Sequence, residues 1–235
     1  MKKLLKTIIT ATLLASSASY AAPIDADTKK EIEAIIDDYV SNHPEIIINA
    51  MKKLERDEQL KTQQAFLDII KDYRASDRHP FLGKKNSKHY IIEFFDFNCG
   101  YCKVMEPFFE KALKEYELQI IYVNIPVIRA ESAQLAYLGQ ALYDTDPNMY
   151  FKFHKHFMTP DNKKADEESV KALFKNIGAD YDAVVKKISS SKNTIDENIK
   201  DSFKLKISGT PYLIIDGQEI RGAITSYDQL KSVLK

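Results

Sequence analysis

The stretch Ile91-Ile92-Glu93-Phe94-Phe95-Asp96-Phe97-Asn98-Cys99-Gly100-Tyr101-Cys102-Lys103 decides how the rest of the chain is read. Residues 89–97 are rich in aromatic and β-branched side chains, the signature of a buried strand. Residues 103–116 read as a helix, with Pro107 inside it as an expected kink. Cys99 therefore stands where a strand hands over to a helix. Unpaired backbone N–H groups and the positive end of the helix dipole favour a thiolate there. The thiolate is the form that attacks a disulfide. Cys102, one helical turn on, can approach the Cys99 sulfur and resolve a mixed disulfide. A bridge between residues three apart closes too short a loop to stabilise a fold appreciably. Reversible exchange is what this spacing offers.

Working outward, residues 118–125 read as a second strand ended by Pro126, and residues 131–143 as a helix. The pattern stays helical from 147 to about 202, with breaks near Thr159-Pro160 and at Gly178. Residues 212–215 and 219–222 then read as strands joined at Asp216-Gly217, a strong hairpin signal. A final helix covers 227–234, and residues 78–88 read as loop or a short edge strand. Strand–helix–strand, helices, hairpin and helix make an α/β fold with a mixed sheet. The helical stretch is an insertion, because the sheet resumes after it.

Ahead of this core lie two one-sided apolar stripes. Ile32, Ile35, Ile36, Tyr39 and Val40 form the first. After Asn42-His43-Pro44, with Pro44 placed to open a second helix, Ile46, Ile47, Ala50, Met51 and Leu54 form the next. A polar run at 55–59 interrupts it, and Phe66, Ile69, Ile70 and Tyr73 resume it. Stripes outside a self-sufficient core call for a partner, and a second copy in a homodimer is expected. The alternative is packing on the chain's own core.

The N-terminus carries Lys2, Lys3 and Lys6, then an apolar stretch from about Leu4 to Ala15, then small residues up to Pro23. This reads as a signal peptide over residues 1–22, which expects export to the periplasm. Both cysteines then lie where oxidation is permitted. Among 235 residues, 34 Lys and Arg balance 34 Asp and Glu, so no net basic field points to nucleic acid. No segment reads as a permanent membrane span.

Three rival readings of the cysteine pair are weaker. Zinc needs about four ligands, and only His154-x-His156 is at hand, which reads as a pair of helix-face histidines. No metal and no cofactor is expected. An inert structural disulfide fails on loop length. A cysteine hydrolase lacks a motif supplying its base. Two other residues join the redox reading. Glu93 lies six positions before Cys99, on the same strand face and among apolar flanks, and could relay a proton as Cys102 ionises. Pro211, after Gly209-Thr210, suits a cis bond at the entry to an edge-facing strand.

Residues 91–103 and the stretch Ser208-Gly209-Thr210-Pro211-Tyr212-Leu213-Ile214-Ile215-Asp216-Gly217 resemble the DsbA-like branch of the thioredoxin superfamily, over most of residues 81–235. The resemblance implies a thioredoxin fold with an inserted helical domain, here about 129–202, and an N-terminal helical extension. It implies Cys99 as exposed nucleophile, Cys102 as buried resolving thiol and partner in a Cys99–Cys102 disulfide, Glu93 as buried acid, and Thr210 and Pro211 as the loop that binds substrate main chain. The segment His43-Pro44-Glu45-Ile46-Ile47 resembles the oligomerisation segment of ScsC-like, isomerase-type relatives. The organisation implied is signal peptide 1–22, oligomerisation segment 23–78 and catalytic domain 79–235. The expected partners are exported proteins with thiols or disulfides and a membrane redox partner. Gly100-Tyr101 departs from the Pro-His dipeptide of the strong oxidase, so a less oxidising pair is expected. Thr210 leans toward isomerisation, with oxidation as an additional role. A holdase or scaffold and a dedicated reductant are the competing functions.

Overall fold

The computed structural model describes residues 25–161 and 164–234, so the expected signal peptide lies outside the described residues. In chain order the elements are α1 (Ala26–Asn42), α2 (Glu45–Ala75), β1 (Phe81–Gly83), β2 (His89–Phe95), α3 (Gly100–Glu115), β3 (Leu118–Asn124), α4 (Ala130–Tyr143), α5 (Pro147–Phe157), α6 (Glu167–Ile177), α7 (Tyr181–Lys204), β4 (Tyr212–Ile215), β5 (Gln218–Arg221) and α8 (Tyr227–Val233). This is an α/β fold with helices α4–α7 inserted between β3 and β4, the arrangement the resemblance implied.

The strands form one five-stranded sheet in the order β1-β3-β2-β4-β5. β2 and β3 are parallel, and every other pairing is antiparallel. β2 is buried on both faces, and its period of two sorts its side chains between two cores. Ile91 and Phe95 join Met105, Phe109 and Ala112 of α3 and the interior of the inserted helices. Tyr90, Ile92 and Phe94 point the other way, to Ile121, Val123 and Ile214. The hairpin turns where expected. Asp216 and Gly217 both have positive φ, 47° and 82°, the combination that suits Gly at the second position. The Asp216 carboxylate also accepts from the Tyr90 N–H at 2.8 Å, tying the turn to the start of β2.

Two sequence expectations are corrected here. β4 is not at the sheet edge. It lies between β2 and β5, and Pro211, one residue before the strand, joins the ladder only through its carbonyl, which accepts from the Gly222 N–H at 3.1 Å. The end of α2 also differs from the expected 23–78 segment. Ile69, Ile70 and Tyr73 are buried against the second face of the sheet, with Phe66 packed beside them. The chain divides between Arg56 and Asp57, so the last part of α2 belongs with the unit that holds the sheet. The polar run at 55–59 does not break α2, because its charged side chains extend into water from a continuous helix.

In the first unit, α1 is capped by Asp25, whose Oδ1 accepts from the Thr28 N–H at 2.8 Å, and it buries no side chain. Ile35 is 67% exposed, and Ile32, Ile36, Tyr39, Ile47, Met51 and Leu54 are also exposed. The second unit is closed by its own two cores. Tyr73 is 1% exposed and donates its hydroxyl to Asp201 at 2.9 Å. Tyr73→Ala should cost roughly 3–5 kcal/mol by the lost aromatic burial. Tyr73→Phe should cost about 1–2 kcal/mol, because it leaves the buried Asp201 short of a donor. Urea unfolding of both variants checks this, and equal midpoints for the two would contradict the packing described.

Candidate functional site

The site is assembled at the junction of β2 and α3, and Asp96 holds that junction. Its side chain is fully buried and accepts four hydrogen bonds. Oδ1 takes the Asn98 N–H and the Ser132 hydroxyl, each at 2.8 Å. Oδ2 takes the N–H groups of Val127 and Ile128 at 2.8 and 2.9 Å. The Asp96 carbonyl accepts from the Cys99 N–H at 2.9 Å. Sequence reasoning passed over Asp96. The signal was there in Asp96-Phe97-Asn98, since Asp commonly bonds its own backbone two residues on.

Cys99 follows as the N-cap of α3, with its sulfur accepting from the Cys102 N–H at 3.4 Å. The sulfur also lies 3.4 Å from the Thr210 carbonyl, to which the neutral thiol donates. That contact brings the Thr210–Pro211 loop, which has a cis peptide bond, to the cysteine pair. Both cysteines are free thiols, so the geometry is that of the reduced pair. Cys99 keeps 4% of its surface and Cys102 none. "Exposed" thus describes Cys99 only by comparison with its partner.

The two thiols are driven apart electrically. Hydrogen bonding from the Cys102 side chain, then from the Thr210 side chain and the backbone at Cys102 and Tyr101, lowers Cys99 to about 6 despite its burial. Burial first, then the bond to Cys99 and the charge of Glu93, raises Cys102. Glu93 lies mid-strand with Ile91 and Phe95, so strand alternation puts it on the face that α3 covers. The six-residue spacing to Cys99 is not the reason, because β2 ends at Phe95. Glu93 is fully buried, and neither carboxyl oxygen has a hydrogen-bond partner. Burial, then the charges of Glu106 and Cys99, raise its pKa well above the ordinary value, while the Cys102 thiol pulls it down.

His154 is a correction. It is not a plain helix-face residue but 3% exposed, enclosed by Phe95, Phe97 and Tyr122. Its Nε2 lies 2.9 Å from Glu106 Oε1, a pairing across 48 residues. Among the described residues, no group of three His, Cys, Asp or Glu side chains is placed to hold a metal ion.

Such an arrangement can hold one stable thiolate, one protonated thiol and a buried carboxyl group that binds a proton more tightly than an exposed one would. Titration of the thiolate ultraviolet absorbance of the reduced protein should give a midpoint of about 6. At neutral pH, iodoacetamide should label Cys99 far ahead of Cys102. A midpoint near the ordinary value of 9.0 would contradict the capping geometry. For Glu93 the sign is opposite to that of an ion-paired acid. Its folded pKa is raised, so the folded state holds a proton that the unfolded state sheds above about 4.5, and stability falls as pH rises through that window. Glu93→Gln should raise the unfolding midpoint at neutral and alkaline pH, with the gain fading toward pH 4.5. A gain independent of pH would show that packing, not charge, is responsible.

Comparison with known proteins agrees with this chemistry. Residues 75–235 match a family model described as thioredoxin, and residues 29–59 match that of the copper resistance protein ScsC N-terminal domain. The probable disulfide bond formation protein D of Bacillus anthracis is 27% identical over 166 residues, which span 65% of this chain and 75% of that protein. The catalytic domain of Proteus mirabilis ScsC superposes with a TM-score of 0.65 at 26% identity, over 73% of this chain and 95% of that one. ScsC of the same organism in a transitional conformation gives 0.65 and 26%, over 90% and 97% of the two chains. The chain belongs to the thioredoxin family, in its DsbA-like and ScsC-like branch, and is a thiol–disulfide oxidoreductase.

Proposed function

We propose that the protein reshuffles disulfides in exported proteins in the periplasm, with net oxidation as a second activity, and that it works as a self-associated oligomer. Cys99 is the attacking thiol. Its thiolate breaks a substrate disulfide, forming a Cys99–substrate bond and releasing the other substrate sulfur as a thiolate. That thiolate can re-attack elsewhere, which is isomerisation. Otherwise Cys102 forms a bond to Cys99 and frees the substrate as a dithiol, and the pair must then be reduced again. Net oxidation runs the other way, from the Cys99–Cys102 disulfide, with one substrate thiolate attacking Cys99 and a second displacing it, and a membrane redox partner takes up the two electrons left on the pair. Substrate main chain lies along Thr210 and Pro211, beside the sulfur. Glu93 takes the Cys102 proton in the resolving step.

The observation that carries the oligomeric reading is the unburied apolar face of the first unit. Ile35, Ile36, Tyr39, Ile47, Met51 and Leu54 are all exposed on helices that bury nothing there. A set this apolar calls for a partner surface. A second copy supplies an identical one, and a two-fold pair closes it. The self-association segment is accordingly residues 23–56, shorter than the sequence alone implied, because the rest of α2 completes the catalytic core.

Ile35→Lys combined with Ile47→Lys tests this at positions that are exposed in the single chain. Light scattering should show a dimer for the native protein and a monomer for the variant. Insulin reduction should persist, while refolding of scrambled ribonuclease should fall on the order of tenfold or more, as two sites lose their mutual effective concentration. A native protein that is already monomeric at micromolar concentration would end the oligomeric reading, and a trimer would end the two-fold one.

A further inference from the structure

We propose that the Glu106–His154 pair, set in the wall of a cavity between α3 and α5, is the port through which the buried Glu93 exchanges its proton with solvent. This rests on the role given above to Glu93 and Cys102. In the resolving step Cys102 passes its proton to the Glu93 carboxylate and its sulfur attacks Cys99. The Cys99–Cys102 bond forms, and the Cys99–substrate bond breaks with its electron pair on the departing substrate sulfur. No further oxidant or reductant takes part. Glu93 is left as a neutral acid with a proton to lose, and in the reverse reaction it must regain one.

The surroundings of Glu93 give that proton few exits. The residue is sealed from solvent, and its oxygens have no hydrogen-bond partner. Its register neighbour on β3 is Tyr122, on the same face of the sheet. Tyr122 lines a cavity of about 240 Å³ together with Lys103, Glu106 and His154, and the Lys155–Glu110 ion pair, at 3.1 Å, also lies in its wall. The cavity is roomy enough for several waters. The Tyr122 ring lies 4.4 Å from that of His154, whose Nε2 is in direct contact with Glu106 Oε1. The other ring nitrogen of His154 faces the Tyr150 hydroxyl at 3.3 Å, which fixes the ring. Glu106 is also the strongest charge acting on Glu93, so the two acids sense each other across this wall. An imidazole can accept a proton on one ring nitrogen while donating from the other, and this one, hydrogen-bonded to a carboxylate and bordering the cavity, is suited to hand a proton across. The inserted helical domain would then supply a working part of the redox site. His154 and Glu106 are positioning residues, since neither touches the sulfurs.

The test uses the mature full-length protein, reduced and mixed with glutathione disulfide. Acid quenching and mass measurement follow the decay of the Cys99–glutathione adduct between about pH 5 and about pH 9, a range that brackets the imidazole and thiol values. Glu106→Gln and His154→Gln should slow that decay on the order of tenfold or more at neutral pH and flatten its pH profile, less than the roughly 10²–10⁴-fold typical of a group that transfers the proton to or from the reacting atoms itself. Formation of the adduct, which depends on Cys99, should be unchanged. In His154→Ala, added imidazole should restore the decay in a saturable, pH-dependent manner, which a structural defect would not allow. Glu93→Gln run alongside separates the two ideas. If it slows decay and the port variants do not, the port is wrong and Glu93 stands. If Glu93→Gln leaves decay unchanged, both fall. Slow decay in the port variants with a native pH profile and no imidazole rescue would also overturn the port.

Discussion

Asp96, a buried carboxylate with four hydrogen bonds, fixes the turn between β2 and α3. Everything distinctive about Cys99 depends on that turn. The sulfur caps α3 only because the chain leaves the strand at this angle, and it meets Thr210 only because β4 lies next to β2. Three residues earlier, Glu93 is equally buried and has no such partners. The contrast separates two uses of the same chemistry. A carboxylate whose lone pairs are filled by N–H and O–H donors is structural cement, whereas one left without donors is held ready to bind a proton.

That second condition costs stability. A buried group without partners is tolerated where function requires it, and the surrounding packing offsets the penalty. Here the offset comes from aromatic rings. Phe95 meets Phe97 edge-on at 5.0 Å between centroids, and Phe97 meets Phe153 at 5.5 Å, so α5 of the insertion is stitched to the end of β2. The inserted helices and the sheet share one core around the site. The dry environment that raises Glu93 and Cys102 is therefore made jointly by both parts of the fold.

Much of this was legible in the sequence. The apolar flanks of Glu93 foretold its burial, and Asp216-Gly217 foretold the hairpin, because both are local statements about strand and turn chemistry. The strand pattern at 89–97 followed by the helix pattern at 103–116 foretold Cys99 at a helix start for the same reason. What stayed hidden is non-local. Periodicity showed that Ile69, Ile70 and Tyr73 form a stripe but not that the stripe meets Ile92 and Phe94. His154 read as a surface residue because its partner Glu106 lies on a different helix, 48 positions away. The position of β4 inside the sheet follows from pairing order, which no single strand's pattern encodes.

The bonds from Asp96 to Val127 and Ile128 have an evolutionary reading. They go to backbone N–H groups, while the two side chains are exposed, 52% and 44%, on the loop tied to the cysteine turn. Any residue except proline supplies the same N–H. The exposed surface here can therefore drift in size, charge or greasiness while the loop stays anchored and the sulfur stays in place. Surface character and redox chemistry are, at this spot, separately inheritable.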